Sequence, residues 1–216
     1  MAHIHNVSGN SAKITKSSPS ANKTAPTVNR EYDGILNGDA KTETIKKFGI
    51  THYRYEDCKI SDLTAVDKCR VHKDCAEAFK AMKKAAKNEG KNLRIVSGYR
   101  SSQYQKQVFK SKFNGQYPTS EQMKGRLKYS APSGYSEHHT GLAIDINVTE
   151  EYFKDSKEYE WLLKNAGEFG FELSFPEDNA QGLGFEPWHW GYIGKNGEYK
   201  HIFEQARQNE PKIIKK

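Results

Sequence analysis

Residues 141–148 read Gly141-Leu142-Ala143-Ile144-Asp145-Ile146-Asn147-Val148, and this stretch constrains the fold more tightly than any other in the chain. Leu142, Ile144, Ile146 and Val148 alternate with Ala143, Asp145 and Asn147, the period of two that marks a half-buried strand. Aspartate is disfavoured inside strands, so Asp145 needs a local reason to stand there. The small Ala143 beside it and Gly141 before it leave room for a ligand on its face. His138 lies just upstream, in Ser136-Glu137-His138-His139-Thr140-Gly141, where the chain can turn an imidazole towards the same face.

A second polar-on-apolar segment follows, Glu186-Pro187-Trp188-His189-Trp190-Gly191-Tyr192-Ile193. It reads as a strand with Trp188, Trp190 and Tyr192 on one side and His189 on the other, and the aromatic trio reads as core packing in preference to a substrate platform. His138, Asp145 and His189 are good zinc ligands, and Glu186 is a spare carboxylate, held in direction by the proline after it. Three protein ligands leave a coordination position open, which separates catalytic zinc sites from structural ones. That chemistry implies a hydrolase. His139 adjoins His138, and spacing alone does not choose between them. His3, His5, His52, His72 and His201 read as surface or hydrogen-bonded core residues.

With Ser97-Gly98-Tyr99-Arg100-Ser101 upstream, the pattern Ser-x-His-x-x-Gly-x-Ala-x-Asp followed by Glu-x-x-His resembles the VanY and L,D-carboxypeptidase group of zinc D-alanyl carboxypeptidases. The likeness runs from about Lys68 to about Gly194. It implies a small single domain of the α+β class, with helices packed around a mostly antiparallel sheet that carries the zinc site. It further implies Zn2+ on His138, Asp145 and His189, with Glu186 as general base. Arg100 would polarise the scissile carbonyl, and Gln105 and Ser136 would help to hold the substrate, the three together suiting an anionic end. The implied partners are peptidoglycan stem peptides and the implied reaction is loss of a terminal D-alanine, with an L,D bond favoured over a D,D bond. Zinc chemistry agrees, since the ion acidifies a water and polarises a carbonyl. A carboxylate relays the proton to the leaving amine, and a guanidinium meets the developing oxyanion. An endopeptidase or dipeptidase of the same chemistry is the near alternative. A non-catalytic zinc-bearing module is the distant one, and it could dispense with both Glu186 and Arg100.

At 216 residues and 35% hydrophobic content, the chain holds one globular domain with tails. No run approaches eighteen apolar residues and no apolar signal core stands near Met1, so the domain does not span a membrane. An exported enzyme then needs a signal or anchor elsewhere; the expectation is a processed form acting at the cell envelope, on its periplasmic or extracellular face. Residues 1–30 read as a flexible linker or tag-containing tail, able to tether an enzyme in its precursor. Residues 31–67 read as an amino-terminal extension without a functional reading, 68–208 as the catalytic domain and 209–216 as a frayed basic tail. Within these, Ile35-Leu36-Asn37-Gly38 suggests a turn and Tyr53-Arg54-Tyr55 a short strand. A helix is expected over 71–88, stopped by Gly90, and a strand over 93–98. Further helices are expected from Ser101 or Ser102, carrying Gln105, from Thr119 by its capping residues, and from Ser156 to Gly170.

Cys58, Cys69 and Cys75 precede the motifs and lack zinc-knuckle spacing. An exported protein leaves open a disulfide of Cys58 with Cys69 or Cys75, and a cytoplasmic one keeps thiols. The net charge of +7 comes without a nucleic-acid-binding module. It reads as attraction to an anionic polymer such as a cell wall, and nucleic acid is not an expected partner.

Overall fold

The computed structural model describes residues 30–207; the linker and basic-tail expectations fall almost wholly on 1–29 and 209–216, outside the described residues. Two short helices, α1 (Asp33–Asn37) and α2 (Thr42–Lys46), precede a hairpin of β1 (Leu63–Val66) and β2 (Cys69–His72) and the long helix α3 (Lys73–Asn88). Then follow β3 (Ile95–Ser97), α4 (Ser102–Ser111), α5 (Ser120–Tyr129), β4 (Ala143–Ile146), α6 (Lys157–Asn165), β5 (Phe171–Leu173), β6 (His189–Tyr192) and α7 (Lys200–Arg207). The larger sheet has the order β3-β4-β6-β5, antiparallel at every pairing, so the expected α+β architecture is present.

The helix expected from Val71 begins at Lys73 instead, because residues 69–72 belong to a hairpin. Val66 pairs with Cys69 across a two-residue loop, and Asp67 and Lys68 both adopt positive φ, the backbone of a tight hairpin turn. His72 then caps α3, its Nδ1 accepting from the Asp74 amide at 3.3 Å. Two other expectations are corrected. Residues 35–37 lie in α1, ended by Gly38 in the left-handed region, where a bare turn was expected. Tyr53, Arg54 and Tyr55 form no strand, because the amides of residues 51–58 do not meet a ladder: Thr51 donates to Gln181, Tyr55 to Gly134 and Cys58 to His139.

The other helix starts follow their caps. Ser101 and Ser156 accept from the Tyr104 and Tyr159 amides, and Thr119 with Gln122 forms a full capping box. Beyond α6 the chain tightens into a 3-10 turn, Ala166–Phe169, and stops at Gly170.

Cys75, Ala76, Phe79, Met82 and Ala86 of α3 pack into one core with Ile144, Ile146, Phe171 and Trp190 of the sheet. Burying a side chain such as Phe79 or Met82 contributes about 1.5–3 kcal/mol. A second core gathers Ile35, Ile45, Phe109, Met123, Leu127 and Tyr135, joining the amino-terminal helices to α4 and α5. Every position of β4 and β6 is buried, so β4 is covered on both faces where the alternation predicted one. Trp190 and Tyr192 are core residues and Trp188 packs against the same core. All three cysteines are free thiols, Cys75 within the core, so neither candidate disulfide forms. Among the described residues no helix is long and apolar enough to cross a membrane.

Candidate active site

The site is built on the central strand pair. Asp145 of β4 and His189 of β6 are Cα partners, which sets their side chains side by side on one face of the sheet. Just before β4 the chain makes a 3-10 turn, Glu137–Thr140, opened by Ser136, whose Oγ accepts from the His138 amide at 3.3 Å. Gly141 ends the turn at φ 69°, and a Cβ there would stand 3.0 Å from Leu63 Cδ2 and 3.1 Å from the His72 amide. Only glycine fits that crowded left-handed position. The turn brings His138 over the strands, with Nε2 3.3 Å from Asp145 Oδ2, while His189 Nδ1 lies 3.1 Å from Asp145 Oδ1.

One donor atom from each of His138, Asp145 and His189 lies within 4.8 Å of the others, and all three residues are buried. Tetrahedral ligands about 2.0–2.2 Å from a zinc ion stand roughly 3.3–3.6 Å apart, the separation of His138 Nε2 from Asp145 Oδ2. Hydrogen-bond accounting points to the same fit. His138 Nε2 and Asp145 Oδ1 are buried with no hydrogen-bond partner, an expensive arrangement unless a cation lies between them. His138 Nδ1 is 2.8 Å from the Gly98 carbonyl, which can only accept, so Nδ1 carries the proton and Nε2 the lone pair. His189 Nε2 is 3.1 Å from Glu137 Oε2, leaving Nδ1 for the cluster. The neighbouring His139 is differently employed. Its Nδ1 donates to the Arg100 carbonyl at 2.6 Å and its Nε2 accepts from the Gly134 amide at 3.0 Å, so neither nitrogen is free for a metal.

Around this cluster lies a cleft of about 70 Å3, lined among others by Arg100, Gln105, Ser136 and Glu186. Glu186 Oε2 is 3.7 Å from His189 Nδ1. Burial pushes its carboxyl up to about 8, against the pull of His189. Burial holds the His138 imidazole down at about 4, with Arg100 adding to the effect. Burial would lower His189 as well, but the Asp145 and Glu137 carboxylates against its two nitrogens raise it to about 10. Asp145 is buried too, yet His138 and His189 hold it well below the usual carboxylate range. Arg100 Nε and Gln105 Oε1 are buried without partners, so of the five such side-chain atoms among the described residues four belong to this one site. Gln105 Nε2 donates to the Ala131 carbonyl at 2.7 Å, so the atom it turns to the cleft is an acceptor, suited to an N–H and not to a carboxylate.

The structure thus brings together all seven residues singled out from the sequence. It also adds some. Glu137, between Ser136 and His138, is 4% exposed and touches His189. A metal-binding histidine needs an acceptor for its second nitrogen, and that requirement was the signal available for finding an acid beside the motif. His52, Tyr53 and Tyr55 line the cleft from the amino-terminal extension, and no pattern in the sequence marks them.

An Asp-His pair on adjacent antiparallel strands joined by His138 from a tight turn, with a buried carboxylate and a guanidinium lining the same cleft, suits the chemistry of a mononuclear metal hydrolase. The chain belongs to the VanY family, described as D-alanyl-D-alanine carboxypeptidase, whose model matches residues 68–195. It is 35% identical over 150 residues to YodJ of Bacillus subtilis (strain 168), covering 64% of this chain and 52% of that protein. It is 34% identical over 128 residues to a D-alanyl-D-alanine carboxypeptidase of Enterococcus faecalis (strain ATCC 700802 / V583), covering 56% of this chain and 47% of the relative. The chain therefore spans about half the length of these curated relatives. Among solved structures, the LD-carboxypeptidase LdcB shares 32% identity at a TM-score of 0.54, over 69% of this chain and 71% of LdcB. A point mutant of the vancomycin-resistance D,D-pentapeptidase VanY, in complex with Zn(II), shares 28% at 0.54, over 69% of this chain and 86% of that one.

Proposed function

We propose that this protein is a zinc-dependent carboxypeptidase that removes a terminal D-alanine from peptidoglycan stem peptides at the cell envelope, with an L,D bond preferred over a D,D bond. The observation that carries the reading is the convergence of unpartnered buried polar atoms from Arg100, Gln105, His138 and Asp145 at one cleft beside Glu186. Zinc is favoured by the donor set, two imidazoles and a carboxylate, and by the Zn(II) complex of the VanY relative. His138 Nε2, Asp145 and His189 Nδ1 would hold it.

When bound, zinc supplies a Lewis acid and an acidified water at neutral pH. Glu186 accepts a proton from the attacking water and passes it to the leaving amine. The Arg100 guanidinium donates to the carbonyl oxygen as charge develops there, a role its planar fork of donors suits. Gln105 Oε1 accepts an amide N–H of the peptide, which orients it. Ser136, together with any Arg100 N–H that the carbonyl does not use, is left to meet the terminal carboxylate. This chain retains both Glu186 and Arg100 in the cleft, which favours an enzyme over a non-catalytic module.

The substrate class rests on relatives named for D-alanyl-D-alanine and on the LdcB neighbour, whose structure concerns peptidoglycan recognition. The L,D preference rests on the Gly134-Tyr135-Ser136-Glu137-His138 wording. Incubation with tetrapeptide (D-Ala on a diamino acid) and pentapeptide (ending D-Ala-D-Ala) tests it. Faster loss of D-alanine from the tetrapeptide is expected, and faster cleavage of the pentapeptide would reverse the preference.

A further inference from the structure

Residues 51–58 have no regular secondary structure and stand upstream of the family-matched region, yet they are stitched to the site throughout their length. Thr51 exchanges bonds with Gln181, its amide donating at 2.8 Å and its carbonyl accepting from Gln181 Nε2 at 3.1 Å. The Tyr55 amide donates to the Gly134 carbonyl at 3.0 Å and the Cys58 amide to the His139 carbonyl at 2.7 Å, both on the loop that carries His138. Between those anchors the Tyr55 hydroxyl donates to Glu137 Oε1 at 3.3 Å. Glu137 Oε2 accepts from Ser174 Oγ at 2.6 Å and faces His189 Nε2 at 3.1 Å.

We propose that Glu137 is the positioning residue that orients His189 for the metal, and that Tyr55 and Ser174 hold Glu137 in that role; this rests on the metal reading above. A buried carboxylate is costly unless donors occupy its lone pairs, and here a hydroxyl from the extension, a hydroxyl next to β5 and the imidazole itself occupy them. His189 has a carboxylate against each nitrogen, Glu137 at Nε2 and Asp145 at Nδ1; with a cation on Nδ1 the ring keeps one proton, and Glu137, which accepts it, holds that proton on Nε2. Glu137 and His138 are consecutive in one 3-10 turn. That turn therefore sets two of the three ligands, His138 directly and His189 through Glu137. The 51–58 segment, bonded to the same loop, becomes part of the metal site although it carries no ligand.

The test is the zinc dissociation constant, measured by competition with a chromophoric chelator, for wild type, Glu137→Gln, Tyr55→Phe and Ser174→Ala, with 15N imidazole shifts of His189 in the loaded proteins. Gln can turn an N–H towards Nε2 and release the tautomer. The expected result is zinc binding about 10- to 100-fold weaker in Glu137→Gln and weakened to a smaller degree in the two hydroxyl deletions. His189 should carry its proton on Nε2 in wild type and show mixed tautomers in Glu137→Gln. A purely structural role would lower melting temperatures and leave both readouts unchanged, and that result overturns the proposal. If Glu137→Gln does not fold, Tyr55→Phe decides alone: weakened zinc binding supports the proposal and wild-type affinity overturns it. A wild-type protein that takes up no zinc sinks the metal reading itself, an outcome distinct from unchanged affinity in the variants.

Discussion

Asp145 and His189 face each other as paired residues of β4 and β6, with His189 Nδ1 3.1 Å from Asp145 Oδ1. Two of the three candidate ligands are thus placed by the backbone ladder of the sheet, before any side-chain adjustment. The third, His138, comes from a turn whose exit depends on Gly141. Rigid strands fix such a pair more closely than loops can.

Replacing His138, Asp145 or His189 with alanine should therefore release zinc and activity together, whereas His139→Ala should keep the metal, because both its ring nitrogens bond to backbone. Metal content after gel filtration checks this. Zinc retained in His138→Ala and lost in His139→Ala would move the ligand by one residue.

Glu186→Gln should keep zinc and fold while losing turnover. The amide nearly matches the carboxyl in size, and a general base contributes on the order of a hundred- to ten-thousandfold. Near-wild-type kcat in that variant would remove Glu186 from the mechanism.

Arg100→Lys should lower kcat/KM sharply with little change in metal content. The guanidinium is buried enough that desolvation lowers its pKa, and its Nε has no partner within the protein. An ammonium cannot reproduce the planar donors. Unchanged kinetics would mean that Arg100 does not meet the carbonyl.

His52 gives a pH dependence outside the ligand set. It lines the cleft, 2.8 Å from the Leu127 carbonyl, and burial lowers its pKa to about 4. The unfolded value is about 6.5. A depressed histidine favours the fold in its neutral form, so its contribution is present above about 6.5 and is lost as pH falls through about 4, on the order of 3 kcal/mol in all. Melting temperatures of metal-free wild type should fall more steeply between pH 7 and 4 than those of His52→Gln. Parallel curves would rule out this source of acid sensitivity.

What could be read from the sequence follows physical locality. The alternation at 142–148 and the caps at Ser101, Thr119 and Ser156 are signals carried by neighbouring residues, and each element formed near its expected place. Asp145 and His189 stood out for a different reason, since ligand chemistry on a strand projects to one face; the choice of His138 over His139 and the roles of Arg100, Gln105 and Ser136 came only from the resemblance to the VanY group. The β1–β2 hairpin was missed because Val71 fits a helical apolar stripe as well as a strand, and only the Asp67-Lys68 turn decides between them. The role of residues 51–58 could not be read, since their bonds run to Gln181, Gly134 and His139, and long-range pairing of irregular backbone leaves no period. Glu137 was hidden by its neighbours, an acid between two stronger signals.

The most direct test of the account is mass spectrometry of synthetic stem peptides after incubation with the zinc-loaded protein, with chelator-treated protein and with terminally amidated peptides as controls. Loss of one D-alanine from the free-carboxylate peptides is predicted, abolished by chelation and largely removed by amidation. Cleavage at internal bonds, equal cleavage of amidated peptide, or full activity in chelator would contradict a zinc carboxypeptidase built on His138, Asp145, His189 and Glu186.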